Sequence, residues 1–135
     1  MRFLVDANVL SEPTKPQFSQ RAADWLDANE AELAVDAVVM GEIWRGVDAL
    51  ATGRKKQNLV EWFGQLQGSV PCLPWTLETA IVWGQLLNRI KKAGFTVGLM
   101  DTMIASTARL HGLTVATRNV EDFTRCGVPV VNPFA

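Results

Sequence analysis

Along the chain the apolar positions change period several times, from short continuous runs to helical spacing and back. Arg2–Val5 and Leu33–Val38 are short stretches of apolar or β-branched residues and predict strands. Between them, Ser19–Asn29 places Ala22, Trp25 and Leu26 at helical spacing, with Pro13 and Pro16 marking the loop before it. From about Val39 the period is helical again: Ile43, Val47 and Leu50 recur at i, i+4 and i+7, and Gly53 is expected to end that helix. The basic Arg54-Lys55-Lys56 leads into a second helix carrying Leu59, Trp62 or Phe63, and Leu66, stopped by Gly68. Two helices with no strand between them form a helical hairpin. Val70–Leu73 is a third strand, which Pro71 and Pro74 push to a sheet edge.

The next helix has the clearest ends. Thr76 is its expected N-cap, Glu78 suits the positive end, Lys91-Lys92 suit the negative end, and Gly94 closes it. Gly98–His111 is a further helix stopped by Gly112, and Leu113–Thr117 and Val128–Val131 complete the strands. Alternation of this kind predicts an α/β domain with a parallel sheet covered on both faces. No repeat, linker or low-complexity segment divides residues 1–135, so one domain is expected.

Composition narrows the function classes more than the fold. With 48% hydrophobic and 20% charged residues and a net charge of −1, the 135-residue chain is globular and carries no global basic field for nucleic acid. Any anionic polymer must meet local positive charge or a bound cation. Two cysteines, Cys72 and Cys126, and one histidine leave no ligand set for structural zinc, and the thiols are expected as reduced core residues. Asp6 interrupts the first apolar run, no segment reaches the ~18 apolar residues of a membrane span, and a cytoplasmic protein is expected.

The acids carry the chemistry. Asp24, Asp27, Glu30 and Glu32 sit on or beside a surface helix, where solvation explains them, and Glu61 fits a polar helix side. Asp6 follows a strand, and ligands of open α/β sheets bind outside the carboxyl ends of strands. Glu42 lies one turn into the helix after strand two, where its side chain leans back toward the sheet rim, unless it pairs with Arg45. Asp101 sits in the first turn of GLMDTMIASTARLHG, a helix expected to be almost wholly buried, and Asn119 and Asp122 follow the next strand in ATRNVEDF. Each alone is explained by a turn or a cap. Together they fall on one rim, where several carboxylates would repel one another unless a divalent cation joined them. All-oxygen ligation suits Mg²⁺, with Mn²⁺ as a substitute.

The ordered set FLVDANVLSE, VVMGEIWRGV, GLMDTMIASTARLHG and TVATRNVEDF resembles the PIN-domain family, and within it the VapC-like toxin ribonucleases. The resemblance covers nearly the whole chain. It implies a three-layer α/β/α sandwich with a central parallel sheet of about five strands, and Mg²⁺- or Mn²⁺-dependent hydrolysis of RNA phosphodiesters. Carried over by motif, Asp6, Glu42 and Asp101 match the first three acids. The family often has an Asp where this chain has Asn119, so Asp122 is assigned as the fourth acid and Asn119 as a neutral ligand or substrate contact. Asn8, Ser11 and Thr117 are expected to orient the carboxylates, and Arg118 to meet phosphate. The resemblance further implies a VapB-like antitoxin partner and a homodimer, in which Trp44 and Trp62 of the hairpin take part.

Other readings have less support. His111 is the only histidine and sits at a helix end, so nucleophilic triads lack a base, and neither a phosphate-binding loop nor a dinucleotide fingerprint occurs. The run Arg54-Lys55-Lys56 is read as solvated charge. A phosphoacceptor receiver domain would need an acid after strand three, which ends Cys72-Leu73-Pro74, and a later lysine, and none follows Lys92. A PIN-like domain that binds RNA or a partner without catalysis is the stronger alternative, and retention of the acids weighs against it.

Overall fold

The computed structural model describes residues 1–135. Its elements run β1 (Phe3–Val5), α1 (Ala7–Leu10), α2 (Gln20–Ala28), β2 (Leu33–Asp36), α3 (Ala37–Asp48), α4 (Arg54–Ser69), β3 (Cys72–Leu73), α5 (Leu77–Ala93), α6 (Leu99–His111), β4 (Thr114–Ala116), α7 (Val120–Arg125) and β5 (Val130–Val131). Short 3-10 turns at Glu12–Thr14 and Glu30–Glu32 bracket α2.

The five strands form one sheet in the order β3-β2-β1-β4-β5, with every pairing parallel. Consecutive residues of a strand face opposite sides, and Leu4 with Val5, Ala34 with Val35, and Val115 with Ala116 are all fully buried. Both faces are therefore covered by helices, which gives the three-layer α/β/α arrangement and explains why these strands are continuously apolar. As Pro71 and Pro74 imply, β3 lies at an edge.

Strand order reverses between β1 and β4. Chain direction leads outward through β2 and β3 on one side and through β5 on the other, leaving a crevice outside the carboxyl ends of β1 and β4. The Asp6 amide donates to the Ala116 carbonyl at 2.9 Å, carrying the β1–β4 ladder up to that crevice.

Helix ends follow the expected chemistry where a side chain commits to the backbone. Thr76 and Thr79 form a reciprocal capping box on α5, and Gly94 and Gly112 close α5 and α6 in the left-handed region at φ 78° and 66°. Several boundaries differ from expectation. Strand two stops at Asp36, not Val38, because the Asp36 carboxylate accepts the Val39 amide at 2.8 Å and caps α3 early. Gly53 begins α4 instead of ending α3, which already closes at Ala49. The short helices α1 and α7 are too brief to show a helical period and were unanticipated.

Burial also departs from the sequence reading in two places. Cys126 is a core thiol, but Cys72 on the edge strand is exposed. Helix α6 is buried at Thr102 and from Ile104 to Ala108, while its first turn, with Leu99 and Met100, is open to solvent. No helix is long and apolar enough to cross a membrane.

Candidate metal and phosphodiester site

The crevice is built by four chain segments, each delivering a polar side chain by a short-range rule. Asp6 leaves the end of β1 and caps α1, its Oδ1 accepting the Ala7 amide at 2.7 Å. Glu42 projects from the second turn of α3. Asp101 occupies the first turn of α6, where the positive end of the helix favours a carboxylate. Asn119 and Asp122 come from the start of α7, just beyond β4.

A hydrogen-bond chain joins three of these segments. Thr117 donates its hydroxyl to Asp6 Oδ2 at 2.8 Å and accepts the Asn119 amide at 3.0 Å. The Asn119 side-chain amide then donates to Asp101 Oδ2 at 2.7 Å and to Asp122 Oδ2 at 2.9 Å. One neutral amide thus holds two carboxylates side by side, and the pairing reaches back through Thr117 to the tip of β1. The Asn119 nitrogen is committed to these two acids, which leaves its oxygen as the free acceptor.

The acids feel one another. Burial pushes the Asp6 carboxyl up from its ordinary value, partly offset by its bonds from Thr117 and Ala7. Glu42 is raised by burial and then by the negative charge of Asp6, Asp101 and Asp36, with Arg45 too weak an opponent to reverse it. Asp101 is raised by burial and by Asp6, against the lowering bond from Asn119. Glu42 makes no ion pair with Arg45, since the ion pairs of the chain are Met1–Glu32, Lys15–Glu12 and Arg125–Glu121. The rim is therefore a pool of uncompensated negative charge.

Two buried acids escaped the sequence reading. Asp36 is 1% exposed and gives one oxygen to the Val39 amide and the other to the Thr107 hydroxyl at 2.9 Å. It pins the start of α3 to α6 and adds to the field at Glu42. Glu12 is held below its ordinary carboxylate range by Lys15 at 3.0 Å, aided by the Ser19 amide and the Arg118 charge. An acid directly after a buried strand and before an apolar helical period is the signal that would have found Asp36.

The structure also redistributes the supporting residues. Of the three residues expected to orient the carboxylates, Thr117 alone bonds to one, Asp6. The Ser11 hydroxyl does not orient a carboxylate; it donates to the Ala7 carbonyl at 2.8 Å. Asn8 is exposed at the site margin and makes no side-chain hydrogen bond of its own. Arg118 lies over the Phe134 ring at 3.8 Å, beside the crevice.

A divalent cation fits this donor set by chemistry. Every candidate donor is an oxygen, and burial first and neighbouring negative charge second raise Glu42 and Asp101. No three acids are gathered close enough to grip one point, so the rim is electrostatically joined but geometrically open. Asp6, Glu42 and Asp101 act on one another across this rim, and Asp122 acts on Asp101.

Residues 3–128 match the PIN domain family. Among curated proteins, the chain is 36% identical to Toxin FitB of Neisseria gonorrhoeae, covering 97% of both chains. It is 32% identical to the VapC ribonuclease Y4jK of Sinorhizobium fredii, over 97% of this chain and 96% of that one. Among solved structures, FitAB bound to a DNA fragment superposes with a TM-score of 0.90 at 34% identity, covering 98% of this chain and 96% of that one. FitAcB from Neisseria gonorrhoeae superposes at 0.89 with 36% identity over 98% of each chain. The acid rim at the β1/β4 switch point thus sits in a fold and sequence shared along nearly the full length of these relatives, and the chain belongs to the PIN-domain family.

Proposed function

We propose that this protein is a metal-dependent endoribonuclease, the toxin of a toxin–antitoxin pair, and that Asp6, Glu42, Asp101 and Asp122 hold Mg²⁺, with Mn²⁺ as a substitute. The observation that carries the reading is the convergence of mutually repelling, half-buried carboxyls at the strand-order reversal. The curated relatives support the substrate class, since several bear the name ribonuclease VapC and two are named tRNA(fMet)-specific endonuclease VapC. The FitAB and VapBC neighbours are complexes, which supports a VapB-like antitoxin as partner.

A divalent cation bound at the rim would supply a polarised phosphate and an activated water. The protein's own contribution is placement. Asp6 follows directly on a strand and Asp101 lies in the first turn of a helix, so regular elements and not a long loop carry both acids. Thr117 fixes the Asp6 carboxylate by donating to Oδ2, and Asn119 keeps Asp101 and Asp122 together with the acceptor faces of both still free. A carboxylate with a raised pKa, Glu42 foremost, is suited to take the proton of an attacking water. Arg118, whose guanidinium lies over the Phe134 ring, would meet a flanking phosphate.

Purified, partner-free protein should cleave a pool of structured RNAs with Mg²⁺ or Mn²⁺ and lose that cleavage in chelator. Asp6→Asn, Glu42→Gln and Asp101→Asn should each abolish cleavage while melting no lower than the parent, because each relieves repulsion. A folded protein that cleaves no RNA with any divalent ion would instead support a catalytically silent binding domain.

A further inference from the structure

A cavity of about 410 Å³ opens beside the acid rim, between the α1–α2 connection and the α3–α4 hairpin. It is continuous with the rim through Asn8 and Glu42. Its far wall is apolar, formed by Ile43, Val47, Leu50, Leu59 and Trp62. Lys15 and Lys55 line it as well, and Glu42 is its only acid.

The polar lining has a defined donor and acceptor character. Ser11 spends its hydroxyl proton on the Ala7 carbonyl, and Thr14 spends its own on the Ser11 carbonyl at 2.6 Å. Both hydroxyls therefore offer only lone pairs. Lys55 has no ion-pair partner, and Lys15 gives one of its three protons to Glu12. A ligand matched to this lining carries an anionic group, a hydroxyl or amine donor, and a flat apolar body. A ribonucleotide has all three: phosphate, the 2′-hydroxyl, and a base that can lie against an indole. The volume lies in the ordinary range for small-molecule sites, about 300–1,000 Å³.

We infer that this cavity seats the nucleotide next to the scissile phosphate in a single-stranded RNA. Lys55 meets its backbone phosphate, Ser11 and Thr14 accept from its 2′-hydroxyl or base amine, and Trp62 walls the base. The inference rests on the ribonuclease reading and adds to it a nucleotide subsite on the hairpin side, with Lys55, Ser11, Thr14 and Trp62 as its contacts.

Two variants test it without touching the acids. Lys55→Ala removes the unpaired cation. Gly46→Leu adds bulk to the lining of the cavity from mid-α3, where a new Cβ meets no atom within 4 Å and a leucine favours the helix over glycine. Binding of a labelled single-stranded RNA of about ten nucleotides is measured in chelator, where nothing is cleaved, and compared with DNA of the same sequence. Each variant should weaken RNA binding about tenfold and raise KM about tenfold with kcat within about twofold, as loss of ground-state binding does. Gly46→Leu should also narrow the preference for RNA over DNA. Unchanged RNA binding and KM in both variants would overturn the inference. So would variants that keep RNA but lose a purified antitoxin, which would give the cavity to a protein segment. A parent that cleaves no RNA would remove the ribonuclease reading alone, because the chelator series still judges the cavity.

Discussion

Replacing Asn119 by aspartate converts the neutral link between Asp101 and Asp122 into a fifth source of repulsion. In the parent, the Asn119 amide donates to Asp101 at 2.7 Å and to Asp122 at 2.9 Å. Asn119→Asp deletes two hydrogen bonds to carboxylates, worth about 0.5–1 kcal/mol each at an exposed position. It also sets a negative charge beside two others. At a separation of about 5 Å, Coulomb's law gives about 1 kcal/mol per pair in water-like surroundings and about 3 at an effective dielectric of 20. Asn119 is exposed, so the lower figure governs, and the total cost is about 3–4 kcal/mol at neutral pH and low salt. A bound divalent cation reverses the sign, because the new carboxylate becomes a further ligand. At a Mg²⁺ concentration of about 100 Kd, binding returns roughly 2.7 kcal/mol. Urea unfolding of parent and Asn119→Asp, in chelator and in Mg²⁺, reads both effects. The variant should unfold at lower urea in chelator, recover in Mg²⁺, and lose less at high salt. An unchanged midpoint in chelator would refute the view that Asn119 is the amide clamp between two acids.

Three further expectations follow from the same geometry. Asp6, Asp36, Glu42 and Asp101 have folded pKa values above their unfolded ones, so their stabilising contribution is complete below about pH 4 and is lost as pH rises through the folded values. Glu12, with its pKa lowered, contributes in the opposite sense, its stabilisation disappearing as pH falls. Four groups outweigh one: melting temperature in chelator should fall between about pH 4 and neutrality, Mg²⁺ should flatten that fall, and a steady rise would count against the charged rim. Asp36→Ala should destabilise by about 2–4 kcal/mol in urea, since it uncaps α3 and strands the buried Thr107 hydroxyl, and Asp36→Asn should lose less. Asp122→Ala should abolish cleavage where Asn119→Ala only reduces it, and full activity in both would remove α7 from the site.

Periodicity and local chemistry were enough for most of the fold. The strands at Phe3, Leu33 and Thr114, the caps at Thr76, Gly94 and Gly112, and the edge position of β3 are all set within a few residues of themselves, which is why the sequence alone determined them. The positions of Asp6, Asp101 and Asp122 at or near element ends, and of Glu42 on the helix after strand two, were legible for the same reason. Short elements were not: α1 and α7 span too few residues to show a period, and the capping by Asp36 outweighed the β-branched run that suggested a longer strand.

What only the tertiary structure decided is how the rim is wired. Thr117 meets Asp6 across 111 residues and Thr107 meets Asp36 across 71, separations over which no sequence spacing carries information. Asn119 is explained locally as a turn or a cap and instead spends its amide on two acids, because α6 and α7, which flank β4 in the chain, pack against each other. The cavity beside Glu42 likewise depends on how the α3–α4 hairpin leans on the chain after α1. Sequence fixes what each segment can offer, through propensity and charge. Which offers meet is set by sheet order, and that is a property of the folded core.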